Sequence, residues 1–108
     1  MTPENHEVKV IAVRVVLFKE GESWIAQGLE YDIAAQGRTA RKATEAFEQT
    51  FIGQILIDTK YDQEPLEGIE KAPQTYWELY FKAVGRADRL SACVPPGFLI
   101  DTDARVHV

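Results

Sequence analysis

The segment from Trp24 to Phe47 constrains the fold most, because its apolar pattern changes from strand-like to helix-like within a short stretch. Residues 24–29 alternate with a period of two, and residues 33–36 form a further short extended run. After Gly37, the spacing changes to that of one helical face, formed by Ala43, Ala46, Phe47, Thr50, Phe51, Gln54 and Ile55. Thr39 is placed to be the N-cap, since its hydroxyl can accept a hydrogen bond from a free N–H of the first turn. The pattern predicts a strand–strand–helix unit, which is typical of a small binding domain.

A long strand is predicted before this unit, over residues 8–18, and Gly21 marks the hairpin turn that follows it. The strand is apolar on both faces. One face carries Ile11, Val13, Val15 and Leu17, and the other carries Val10, Ala12, Val16 and Phe18, interrupted by Arg14. Both faces therefore require cover, and the helix predicted for residues 40–57 can cover only one. We expect a second protomer on the other face, giving a homodimer or larger oligomer; the alternative is cover by the C-terminal half.

The C-terminal half begins with a polar, acidic loop over residues 60–72. Pro73 suits the first turn of a second helix, predicted for residues 74–84, and Gly85 suits its end. Its aromatic stripe is more typical of a packing face than of a cofactor site and consists of Tyr76, Trp77, Tyr80 and Phe81, followed by Val84. A turn is predicted at Pro95-Pro96-Gly97, and short strands are predicted over residues 98–100 and 104–108.

These elements predict an α+β fold in a single domain spanning residues 1–108. A three-stranded antiparallel sheet of residues 8–18, 23–29 and 33–36 packs against the helix of residues 40–57 through Ala43, Phe47 and Phe51. Residues 8–57 form the core of the domain. Residues 58–108 form a C-terminal extension that contains the second helix and the short strands.

Composition narrows the class of function. The net charge of −5 argues against general binding of nucleic acid, which requires a cationic surface. A lone cysteine, Cys93, excludes an internal disulfide, and we interpret it as a small buried hydrophobe. The polar, acidic start resembles neither a signal peptide nor a transit peptide, and no apolar run approaches the length of a membrane span. We therefore expect a cytoplasmic protein.

Few residues suggest catalysis. Asp101 and Asp103 would share a face of an extended segment, with His107 nearby, and could form a divalent-cation site. The interpretation that we favour is a solvated turn. Glu30 and Asp32 are either paired carboxylates for acid–base chemistry or, as we favour, part of a polar turn. No nucleophile motif, phosphate loop or metal motif is recognisable. The sequence predicts a protein that is not an enzyme and has no cofactor.

A basic cluster at the start of the first helix, Arg38, Arg41 and Lys42, lies where the helix dipole disfavours cations by a few tenths of a kcal/mol each. Such a cluster is either a solvated helix start or a surface for an anion or an acidic partner. Together with Trp77 and Phe81 of the second helix, these residues are the candidate partner-binding residues.

The same residues resemble a known family. The run Trp24-Ile25-Ala26, the landmarks Leu29 and Asp32-Ile33, the motif Gln36-Gly37-x-Thr39 and the helical Ala43 look like the HicB-like antitoxin domain. The resemblance covers roughly residues 8–57, about half of the chain, and its motif is diffuse.

This resemblance implies a degraded RNase H-like fold that neutralises a small RNA-cleaving toxin, HicA, by binding it, usually as an oligomer. Three features depart from the family pattern, one of them being that the stretch between the first helix and the final strands is not part of that pattern. Arg38 stands where the family commonly has an acidic residue, followed by Arg41 and Lys42, and this local charge would repel a basic toxin. Residues 58–108 show no recognisable DNA-binding module.

The sequence thus favours a non-catalytic protein-binding module of HicB type, which could be an orphan relative without a DNA-binding domain. Two alternatives remain. The first is a metal-dependent nuclease on an RNase H-like scaffold, which would need several convergent carboxylates. The second is a domain that binds a small ligand or an anion.

Overall fold

The computed structural model of the protein describes residues 9–83, 85–94 and 97–107, and for residues 86–94 it describes the backbone only. Several predictions made from the sequence lie outside this part of the chain: those for Val8, Val84, Pro95-Pro96 and Val108, and the burial of the Cys93 side chain. The described elements are β1 (Lys9–Glu20), β2 (Ser23–Gly28), β3 (Ala34–Gly37), α1 (Ala40–Lys60), α2 (Gln74–Lys82), β4 (Gly85–Val94) and β5 (Phe98–His107).

The strands of the described residues form one mixed sheet in the order β3-β2-β1-β5-β4. The predicted α+β class is confirmed, and the order of three antiparallel strands followed by a helix agrees in outline with the prediction. β1 and β2 form a hairpin in which Glu20 pairs with Ser23, and β3 pairs antiparallel with β2. Gly21 allows the tight turn between β1 and β2 because its φ is +63°, a conformation that disfavours other residues.

The C-terminal strands correct the sequence prediction. The two short strands expected at residues 98–100 and 104–108 are one continuous strand, β5, which runs parallel to β1 from Lys9 opposite Phe98 to Phe18 opposite His107. The turn-forming Asp101-Thr102-Asp103 is extended because Thr102 and the following Ala104 are buried in the core. The second helix, predicted for residues 74–84, ends at Lys82. β4 was not predicted: Gly85, expected to end the helix, instead begins a strand antiparallel to β5. The sheet is therefore five-stranded and mixed, not three-stranded and antiparallel.

The main core lies between α1 and one face of the sheet. The predicted contact residues Ala43, Phe47 and Phe51 are all buried there, and the rings of Phe47 and Phe51 stack with centroids 5.5 Å apart. The remaining buried residues come mostly from the strands and include Ile11, Val13, Val15, Leu17, Ala26, Ile100 and Ala104. Thr39 is the N-cap, and its Oγ1 accepts a hydrogen bond from the backbone N–H of Lys42 at 3.1 Å. The prediction for this helix is confirmed, except that it continues to Lys60.

The opposite face of the sheet is covered at one end by α2. A second core cluster joins Val16, Leu29 and Tyr80, and Phe18 stacks on Tyr76 with centroids 5.9 Å apart. Part of the β1 face that we expected a second protomer to cover is thus covered by the same chain. In the described part of the chain, neither helix has the length and apolar character needed to span a bilayer.

Candidate partner-binding surfaces

Arg14 joins α2 to the sheet. Its Nε lies 2.6 Å from Glu30 Oε2, and its backbone N–H donates to Glu30 Oε1 at 2.7 Å. The same guanidinium lies 4.8 Å from the ring centroid of Trp77 and 5.8 Å from that of Phe81. Cation–π contacts at these distances are attractive, and more so when partly desolvated. Arg14, which interrupts the apolar pattern of β1, therefore contacts Glu30 through a charged hydrogen bond and the aromatic rings of α2 through its guanidinium.

Tyr80 is the buried residue of this cluster. Its ring lies 4.4 Å from the guanidinium carbon of Arg105. Burial raises the pKa of the Tyr80 phenol, and the nearby Asp103 carboxylate, with which the phenol forms a hydrogen bond, raises it further, against a lowering by Arg105 and Arg14. The phenol therefore stays protonated at neutral pH, with the Asp103 carboxylate of β5 beside it. Packing of Tyr80 with Val16 and Leu29 holds the helix on the sheet.

Beyond Arg14, none of the described helices covers the same face of the sheet. Val10 is 58% exposed, Ala12 is also exposed, and Leu99, which pairs with Val10 across the strands, is half-buried. Phe81, which contacts Arg14 at the end of α2, is 60% exposed. We call the surface formed by Val10, Ala12, Leu99 and Phe81 the open sheet face. Val10 and Phe81 are both apolar side chains exposed on this face, and exposed apolar surface is typical of a site of interaction.

The predicted partner-binding residues do not form one site. Arg38, Arg41 and Lys42 are exposed at the start of α1, which packs on the opposite face of the sheet from α2. Arg41 forms an exposed ion pair with Glu45 at 3.4 Å. Trp77 is half-buried, and its indole N–H donates to the carbonyl of Ala72 at 3.2 Å. Phe81 is the member of this set that lies on the open sheet face.

The candidate carboxylates have separate positions. Glu30 pairs with Arg14, whereas Asp32 accepts a hydrogen bond from Gln27 Nε2 at 2.8 Å, so the two do not act as a pair. Asp101, Asp103 and His107 share one face of β5, and Asp103 bonds with Tyr80. Within the described residues, no three side chains of histidine, cysteine, aspartate or glutamate are grouped so that they could hold a metal ion.

An open, acidic cleft of about 680 Å³ lies where α1 meets the following loop, and Asp58, Asp62, Glu64 and Glu67 line it. The buried carboxylate of Asp58 accepts hydrogen bonds from the backbone N–H of Leu66 at 2.8 Å and from Gln54 Nε2 at 2.9 Å. Asp58 thus anchors the loop. Its satisfied hydrogen bonds account for its burial without a ligand.

A second apolar surface lies on α1, away from the sheet. Leu56 is 46% exposed, Ile57 54% and Tyr61 66%. Gly53 lies one turn before Ile57, and a Cβ atom there would meet no heavy atom within 4 Å. The sequence pattern placed Leu56 off the buried stripe, but it did not single out Ile57 or Tyr61; their apolar character outside that stripe was the available signal. Comparisons of the chain with models of protein families, with curated proteins and with solved structures find no match.

Proposed function

We propose that the protein is a non-catalytic protein-binding module that resembles a HicB-type antitoxin and binds a basic protein through the open sheet face. The observation that carries this proposal is the half-covered sheet: α2 packs over Val16 and Phe18, whereas Val10 and Phe81 remain more than half exposed. The order of three antiparallel strands followed by a packed helix supports the resemblance to the HicB-like fold.

Apolar burial would supply part of the binding energy. A large apolar side chain contributes about 1.5–3 kcal/mol when it is fully buried from an exposed position. Val10 and Phe81 are therefore suited to be the anchors of such an interface, where a few central residues commonly carry most of the energy. Ala12 and Leu99 add apolar surface on the same face, and the carboxylate-bearing Asp101 lies opposite Ala12.

Charge favours a basic partner. The chain carries a net charge of −5, and an opposite charge on the partner would accelerate association. The basic residues Arg38, Arg41 and Lys42 begin α1 on the other side of the sheet. They would therefore not face a partner that docks on the open sheet face, which removes the local repulsion expected from the sequence. A small basic toxin of the HicA type fits this description.

The two alternatives have weaker support. A metal-dependent nuclease needs carboxylates from neighbouring strands, but the β1 residues opposite Asp101 and Asp103 are Ala12 and Arg14. A cation such as Arg14 competes with a metal ion for the same carboxylates. An anion-binding domain would use the basic cluster together with the aromatic helix, but Arg38, Arg41 and Lys42 begin α1 on the opposite side of the sheet from α2.

Co-expression with a HicA-type toxin tests the proposal. We expect the intact chain to restore growth of cells that express the toxin, and the two purified proteins to elute as one complex. Val10→Asp and Phe81→Asp should both abolish rescue and complex formation. Arg41→Glu, at the basic cluster, is the matched control and should bind normally.

Three results would contradict the proposal. The first is separate elution of the two proteins without rescue of growth. The second is loss of binding in Arg41→Glu but not in Val10→Asp, which would place the partner at the basic cluster. The third is cleavage of RNA by the purified chain that requires a divalent metal and is abolished by changing Asp101 or Asp103, which would support the nuclease.

A further inference from the structure

One stripe of α1 has the residue spacing of a helix–helix contact. It points away from the sheet, is flanked by Ile57, and consists of Lys42, Ala46, Gln49, Gly53, Leu56 and Lys60. The intervals of four and three residues keep one stripe in register along a helix. The buried residues Ala43, Phe47, Phe51 and Ile55 occupy the opposite side, so the stripe is free of the protein's own core.

Gly53 stands near the centre of this stripe. A glycine inside a helix costs about 1 kcal/mol relative to alanine, and no neighbouring group in the chain requires its small size, since a Cβ atom would meet nothing within 4 Å. A second helix crossing at this point could approach to the short end of the usual 8–10 Å range of interaxial distances. Leu56 and Ile57, both about half exposed, would lie on either side of the crossing.

The charges along α1 select the orientation of a second α1. In a parallel arrangement, Lys42 would meet Lys42, Glu45 would meet Glu45, and Lys60 would meet Lys60. In an antiparallel arrangement with its axis next to Gly53, Lys60 faces the turn of the second copy that carries Glu45, and Lys42 faces the loop just beyond the helix, which carries Asp62 and Glu64. Each contact occurs twice because of the two-fold axis.

We propose that the protein forms a two-fold homodimer through α1, which packs antiparallel on α1 of a second copy and crosses it near Gly53. The seam consists of Gly53, Leu56 and Ile57 at its centre, with Lys60 near Glu45 and Lys42 near the acidic loop of the second copy at its ends. It lies on the opposite side of the sheet from the open sheet face, so each copy keeps that face available. The proposal stands independently of the identity of any other partner.

Self-association measured by sedimentation equilibrium of the full chain tests this seam. At tens of micromolar protein, we expect a mass of twice the 12.2 kDa of the chain. Leu56→Glu should raise the dissociation constant by at least about tenfold, because two buried leucines become charged. Val10→Asp is the matched control: it places a charge on the open sheet face and should leave the dimer unchanged.

Charge reversal tests the orientation. Lys60→Glu and Glu45→Lys should each weaken the dimer by about tenfold, since two attractive contacts become repulsive. The double variant should recover most of the loss because it restores opposite charges across the axis. The circular dichroism spectra of all variants should match that of the original chain, since these positions are exposed.

A monomer mass at tens of micromolar would overturn the proposal. A dimer that Val10→Asp disrupts and Leu56→Glu does not would place the seam on the sheet instead. A dimer that neither Lys60→Glu nor Glu45→Lys weakens would indicate parallel helices, because each change there replaces one pair of like charges by another. A double variant as weak as the single ones would show that the two charges do not meet. Each of these results contradicts the seam described above.

Discussion

Arg14 lies between the carboxylate of Glu30 and the rings of α2, and its neighbours on the same face of β1, Ala12 and Val16, are apolar. An isolated cation at such a position would be costly to bury. Its Nε has a carboxylate partner, its stem covers apolar surface, and its guanidinium lies against Trp77 and Phe81. The residue that breaks the pattern of β1 is therefore part of the contact that holds α2 on the sheet.

Arg14→Ala should lower the free energy of unfolding by about 1–2 kcal/mol, because it removes the charged hydrogen bond and the cation–π contacts together. Arg41→Ala is the matched control, since the Arg41–Glu45 pair is largely exposed and should contribute at most about 0.5 kcal/mol. Urea titration of both variants checks the difference. Equal losses would show that the contacts of Arg14 do not stabilise α2.

Gly37 is required by close approach between β3 and the start of α1. A Cβ atom at this position would lie 2.5 Å from the backbone nitrogen of Ala43, a distance at which the backbone itself has to move. Gly53, inside α1, instead has open space around it: a Cβ atom there would meet no heavy atom within 4 Å. The two glycines therefore have different structural roles.

Gly37→Ala should destabilise the protein by about 1–3 kcal/mol, the usual cost of overpacking. Gly53→Ala should stabilise the folded chain by up to about 1 kcal/mol because of the higher helix propensity of alanine. Thermal unfolding at low micromolar protein compares the two variants. A melting temperature unchanged by Gly37→Ala would mean that β3 separates from the helix at little cost.

At the scale of elements, α1 and α2 contribute differently. α1 buries a continuous stripe against three strands, whereas the short α2 buries Tyr80 and depends on its contacts with β1 and β5. Helices as short as α2 are marginal in isolation. The stability of the protein should therefore depend mainly on the interface between α1 and the sheet.

Phe47→Ala should cost about 3–5 kcal/mol, the range for removal of a buried aromatic ring, since Phe47 is 1% exposed. The corresponding change in α2, Phe81→Ala, should cost less than about 1 kcal/mol because that ring is 60% exposed. Chemical denaturation followed by circular dichroism measures both. A loss below 1 kcal/mol for Phe47→Ala would show that the ring is not part of the core.

At the scale of the whole molecule, β1 is the central element, because it pairs with β2 on one side and β5 on the other and contacts a helix on each face. Its parallel partner β5 carries Asp103, which fixes Tyr80 of α2. The chain thus closes its second core through a strand that is distant in sequence. The protonation state of Tyr80 should therefore influence the free energy of unfolding.

The raised pKa of Tyr80 predicts a loss of stability in alkali. Above pH 10, the unfolded chain releases the phenol proton before the folded one does, so its contribution is complete below that pH and is lost as the pH rises through the folded pKa. The stability advantage of the original chain over Tyr80→Phe should therefore shrink between about pH 8 and about pH 11. Urea titrations of both proteins at the two pH values measure this advantage. An advantage that is the same at both pH values would contradict the prediction.

The sequence by itself determined the N-terminal half of the fold. The β1–β2 hairpin, β3 and α1 follow from patterns whose partners are near in the chain: alternation in the strands, Gly21 in the turn, Thr39 at the cap and the spacing of Phe47 and Phe51. These signals are local because a hairpin pairs neighbouring segments and a helix bonds residues four apart. The helix ends later than predicted, at Lys60, with the buried Asp58 in its last turn.

Only the tertiary structure decided the rest. The parallel pairing of β1 with β5, the presence of β4 and the division of the candidate residues between opposite sides of the sheet depend on contacts between the two ends of the chain. Parallel pairing has no hairpin to indicate it, and the Asp-Thr-Asp segment is locally suited to a turn. Burial of Thr102 and Ala104 against α1 outweighs that local preference, and the same long-range pairing leaves one end of the second face open.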